Sequence, residues 1–119
     1  MTFLFLAGVC FGQNTAEQFW TTGVEYAAKG DFDRAKKEFV TALKVDPLFE
    51  AADKHLKLIE SVNNKKAEAK PIVQYFIGVD YYLKGQLDNA IDHYDKALLL
   101  KPTFAMAFNG RGCVYGKKG

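Results

Sequence analysis

Two histidines and two cysteines, beside fourteen Asp and Glu, are the side chains of this 119-residue chain first to be weighed as metal ligands, general bases or nucleophiles. Zinc sites and catalytic sites need such groups to converge at set spacings, and neither His55 nor His93 belongs to a set of that kind. Each falls on the polar side of its own helical pattern, which predicts solvated surface for both. Asp92 and Asp95 flank His93, but they make a charged helix face and not a nucleophile–base–orienter triad. The run Gly110-Arg111-Gly112, with Gly116, follows no strand, so its glycines suit helix packing or fraying better than a phosphate loop. Cys113 has no histidine or acidic neighbour in sequence to lower its pKa and reads as a small packing residue. A bond to Cys10 stays open; it would require an oxidising compartment and an uncleaved N-terminus. The expectation is therefore a protein that is not an enzyme, with no metal, no cofactor and no small-molecule substrate.

Bulk composition narrows the partners. Sixteen Lys and Arg face fourteen Asp and Glu, a formal charge of +2, and the signs are interleaved with no basic block to track a phosphate backbone. Nucleic acid is not an expected partner. Hydrophobic residues make up 49% of the chain, enough for the small core of one domain. The first residues carry no charge, and the apolar run Phe3 to Val9 is too short to span a bilayer. It has the look of the hydrophobic part of a secretory signal, with Cys10-Phe11-Gly12 before Gln13 as a tolerable cleavage context, although a positively charged leader is missing. The other reading is an apolar segment that packs on the domain.

What must position any site is a set of helices. Thr15 with Gln18 three residues on is a capping box, and Phe19, Gly23, Tyr26 and Ala27 recur at helical spacing up to Gly30. Gly30 can take the left-handed conformation that ends a helix. A second helix starts near Asp31, buries Phe32, Ala35, Phe39, Ala42 and Leu43, and closes at Asp46-Pro47. So short a turn makes the two antiparallel neighbours. YAAKGDFDRA, from Tyr26, returns as YYLKGQLDNA, from Tyr81, an offset of 55; Tyr81 to Tyr115 is an offset of 34. Pro71 opens the second copy, Gly85 ends its first helix, Leu87, Ala90, Ile91, Tyr94, Ala97 and Leu98 line its second, and Pro102 marks its boundary. Between the copies Leu48, Ala52, Leu56, Ile59 and Val62 predict one more single-faced helix, and 63–70 a solvated helix end or linker. The expected divisions are 1–14 for the signal-like segment, 15–49 for hairpin 1, 50–70 for a bridging helix and linker, 71–104 for hairpin 2, and 105–119 for the first helix of an incomplete third repeat.

This pattern resembles tetratricopeptide repeats, through Phe19, Gly23, Tyr26, Gly30, Ala35, Phe39, Ala42 and Pro47 in one copy and Gly78, Tyr81, Gly85, Ala90, Tyr94, Ala97 and Pro102 in the next. The resemblance implies an all-α fold of helical hairpins in a right-handed superhelix. In it Gly23, Gly78 and Gly112 let helices approach closely while aromatic rings fill the spaces between. Thr22 and Arg111 depart from the family by standing where a large apolar residue is usual, and Lys57 and Glu60 stand where glycine and tyrosine would.

First helices of such repeats line a concave groove that receives a peptide. The resemblance places Trp20 and Val24 on that groove in the first copy, Ile72, Tyr75, Phe76, Val79 and Tyr82 in the second, and Met106 and Asn109 in the third. Members that clamp a C-terminal carboxylate use basic residues and asparagines there; here Trp20, Val24 and Phe76 replace them. An apolar partner is expected instead: an amphipathic helix, a hydrophobic peptide, the segment Phe3 to Phe11, or a second copy. The competing reading packs several of these residues between the two halves. Phe108 and Tyr115 lack the covering helix of a complete third repeat, and the expectation is that the natural chain continues. Function is expected to be that of a non-catalytic adaptor in envelope complex assembly, exported to a bacterial periplasm if the leader is a signal and cytoplasmic otherwise. Its rival is a self-association unit that forms a homo-oligomer.

Overall fold

Helix limits follow from capping chemistry at residues spread along the chain. A computed structural model describes residues 15–119, so the signal-like segment and Cys10 lie outside the described residues. It contains six helices, α1 (Ala16–Ala28), α2 (Phe32–Val45), α3 (Glu50–Asn63), α4 (Ala69–Leu83), α5 (Leu87–Leu100) and α6 (Ala105–Lys118), and no strand among the described residues. The Thr15 hydroxyl accepts the Gln18 N–H at 3.1 Å and starts α1. The Asp31 carboxylate accepts the Arg34 N–H at 3.2 Å and starts α2. At the far end of α1, Gly30 has φ +82°. There the Asp31 N–H reaches the Tyr26 carbonyl and the Gly30 N–H the Ala27 carbonyl, both at 3.0 Å. Gly85, at φ +78°, repeats the pattern: its N–H reaches the Tyr82 carbonyl at 3.0 Å and the Gln86 N–H the Tyr81 carbonyl at 2.9 Å.

Packing turns these helices into an all-α solenoid of hairpins. α1 pairs with α2 and α4 with α5; α3 continues from α2 as α6 continues from α5, and α1 lies along α4. The 55-residue offset extends further than Tyr26 and Tyr81. The bounds of α2 and α3 shifted by 55 are those of α5 and α6. Ala52 and Ile59 of α3 are fully buried like their counterparts Ala107 and Val114 of α6. The segment expected as a bridge is thus the positional equivalent of α6, and the chain is built as two three-helix units.

Each unit is closed by a ring set into a glycine gap. A Cβ on Gly23 would lie 2.5 Å from the Phe39 ring, and one on Gly78 2.7 Å from the Tyr94 ring. Both rings are buried, so neither can retreat. Gly112 differs from the expectation: a Cβ there would meet nothing within 4 Å. In the two hairpins the ring that fills such a gap stands sixteen residues on, Phe39 after Gly23 and Tyr94 after Gly78. Gly110 makes the close approach on α6 instead: a Cβ there would lie 2.7 Å from the Tyr94 ring. The core runs through both units as Val24, Phe39, Ile59, Ile72, Phe76, Tyr94 and Val114. Phe39 and Phe76 stack with centroids 6.1 Å apart where the units meet. Full burial of each such side chain stabilises the fold by about 1.5–3 kcal/mol.

Candidate functional site

α4 is apolar around most of its circumference because it has neighbours on more than one side. Ile72 and Phe76 point into the interior and are essentially inaccessible, as is Val24 of α1. These three of the expected groove residues belong to the core, where the pairing of α1 with α4 covers them. Trp20, Tyr75, Val79, Tyr82, Met106 and Asn109 are brought together around a hollow of about 300 Å³. α3, α4 and α6 wall it, with Trp20 and Tyr94 reaching in from α1 and α5. Tyr75 and Val79 form its deep surface at 6% exposure each. Trp20, Tyr82 and Met106 are half-buried, and Asn109 and Cys113 are exposed at its edge.

Sequence reasoning missed the polar centre of this hollow. His55, expected on solvated surface, is 5% exposed. The side of α3 that its own periodicity marks as polar is covered by Trp20 from α1 and by Tyr75 and Phe76 from α4. The signal that could have found it is the offset of 55, which aligns His55 with Gly110 and Phe39 with Tyr94. At this aligned position the second unit sets Tyr94 against Gly110. The first closes Phe39 against the His55 imidazole, centroids 5.8 Å apart.

Two hydrogen bonds fix that imidazole. The Trp20 Nε1–H donates to His55 Nδ1 at 3.0 Å, and His55 Nε2 lies 2.9 Å from the Tyr75 hydroxyl. Burial, with the Lys54 charge second, lowers the His55 pKa from 6.5 to about 4, so the ring is neutral at physiological pH. Burial, with Cys113 second, pushes the Tyr75 hydroxyl up. The same burial, with Tyr75, Cys113 and Tyr82 following, pushes Tyr94 up. At the rim Glu50 and Lys54 pair at 3.4 Å in full view of solvent, a contact worth little in stability. His93 is also less solvated than expected: it is half-buried, stacks on Tyr81 at 5.4 Å and bonds Gln74 at 2.8 Å. Burial, with Lys96 second, lowers its pKa.

Among the described residues no group of three or more His, Cys, Asp or Glu side chains could hold a metal ion. No described helix is long and apolar enough to cross a membrane. Antiparallel helical hairpins, stacked through glycine-ring joints around a concave hollow, define a helical-repeat protein. Family models carry the assignment further: one described as "TPR repeat" matches residues 78–119 and one described as "Tetratricopeptide repeat" matches residues 22–47. The chain belongs to the tetratricopeptide repeat family, whose repeats serve as protein–protein interaction modules. No curated protein and no solved structure matches it.

Proposed function

We propose that the protein is a non-catalytic adaptor that takes an apolar side chain of a partner polypeptide into the hollow between α3, α4 and α6. The observation that carries this reading is the convergence of Trp20, Tyr75, Val79, Tyr82 and Met106 on one concavity of about 300 Å³, the size of a side chain with its flanking backbone. Hydrophobic contact would supply most of the affinity, and the rigid rings would lose little conformational freedom on binding. Replacing Met106 by Glu sets a charge on the wall of the hollow at a half-buried position, where the carboxylate keeps contact with water. The expected result is loss of partner recovery in pull-down with unchanged helicity; full recovery of the partner by Met106→Glu refutes the reading. The apolar run Phe3 to Val9 supports export to a bacterial envelope as the setting. N-terminal sequencing of the mature protein is the check, and an intact Met1 in the cytoplasmic fraction refutes it.

Exposure of Phe108 and Tyr115, 47% and 54%, one above the other on α6, favours self-association as a second reading. Light scattering across a concentration series separates the two. A mass that stays at 13.3 kDa excludes the second.

A further inference from the structure

The hydrogen-bond chain at the base of the hollow has a direction. An indole N–H can only donate, so the Trp20 bond makes His55 Nδ1 an acceptor and leaves the proton of the neutral ring on Nε2. That proton then points at the Tyr75 oxygen, which accepts it. Tyr75 has therefore received a hydrogen bond where it would otherwise have given one. Its own O–H finds no acceptor among the described residues. This hydroxyl belongs to a side chain 94% removed from solvent that lines the hollow.

We propose that the Tyr75 hydroxyl is a specificity-determining donor in the binding hollow, committed by Trp20 and His55 to an uncharged acceptor on the partner, namely an amide carbonyl beside an aliphatic side chain. This rests on the reading of the hollow as the binding site. The neutral class follows from the surrounding charges. Among the described residues the only ionised groups lining the hollow, Glu50 and Lys54, neutralise each other at its rim, which leaves no spare cation among them for a carboxylate. Apolar walls make the donor selective. A ligand that fills the space without an acceptor strands a buried O–H, and a carboxylate loses its hydration with no positive charge in return. His55 is a positioning residue: it sets which way the tyrosine proton points and touches the ligand only through that hydroxyl.

The test uses the full chain and N-acetyl-L-leucine N-methylamide, which carries one aliphatic side chain and two amide carbonyls. It is titrated by NMR against the Trp20 indole N–H and the Val79 and Met106 methyl groups. Shifts at these three groups are expected, with the dissociation constant raised about 3- to 10-fold by Tyr75→Phe. N-acetyl-L-leucine, a carboxylate of the same shape, is expected to bind no tighter than the amide. Equal affinity of the amide for both proteins overturns the donor role while leaving the hollow as a binding site. Absence of shifts in the wild-type protein overturns the hollow itself, and tighter binding of the carboxylate overturns the neutral acceptor. A further measurement needs no variant: the ¹⁵N shifts of His55 in the wild-type protein are expected to report the proton on Nε2. A proton on Nδ1 breaks the chain at its first link and ends the proposal.

Discussion

Acidification should loosen this protein through His55 before most carboxylates begin to titrate. In the unfolded chain His55 has its ordinary pKa of 6.5; folded, burial holds it at about 4. Between those values the unfolded state binds a proton that the folded state refuses, so stability falls as pH falls. At about 1.4 kcal/mol per pH unit of proton uptake, the loss from pH 7 to pH 5 is about 2 kcal/mol, reaching about 3 kcal/mol below pH 4. Little of this is screened, because the side chain is 5% exposed. The geometry gives the same sign: a protonated ring would turn Nδ1–H against the Trp20 N–H, donor against donor. Urea unfolding at pH 7 and pH 5 measures the loss directly, and His55→Gln removes the titration while keeping an acceptor and a donor at the site. The wild-type protein should lose about 2 kcal/mol more than the variant over this interval. His93 adds a loss of the same sign, but it is present in both proteins and cancels in the comparison. Equal losses would refute the argument that a neutral buried imidazole holds α1, α3 and α4 together.

Further outcomes concern the glycines and the surface. Gly23→Ala should cost about 1–3 kcal/mol in chemical denaturation, since its methyl would meet the immobile Phe39 ring. Gly112→Ala, with open space and a helical backbone, should instead stabilise by about 0.5–1 kcal/mol in the same assay. Gly85→Ala should cost about 1 kcal/mol, measured as a lower urea midpoint, because φ +78° strains a side chain where there is ample room for one. Arg111→Ala, which removes the 2.7 Å pair with Asp95 and the stacking on Phe108, should lower stability by no more than about 1 kcal/mol, the loss shrinking in high salt.

Most of the fold could be read from local signals. Thr15, Asp31, Gly30 and Gly85 each act through backbone bonds within a few residues, so their meaning survives without knowledge of the tertiary structure. Gly23 and Gly78 were legible too, because each is paired with a ring sixteen residues later in the same hairpin. The site was legible only in part, because burial depends on helices distant in sequence. Ile72, Tyr75, Phe76 and Val79 are all apolar or aromatic, and nothing in α4 alone distinguishes the side that meets α1 from the side that borders the hollow. For His55 local periodicity pointed the wrong way: Lys54 and Lys57 beside it are exposed, and the groups that bury the imidazole lie 35 residues earlier and 20 later.

The hollow is bounded by both three-helix units, with Trp20, His55 and Lys54 on one and Tyr75, Val79, Met106 and Asn109 on the other, and the units meet mainly along α1 and α4. An occupant wedged there would touch both bodies beside the joint they share. It would act as a splint, and its grip would depend on the angle at that joint as much as on any one side chain.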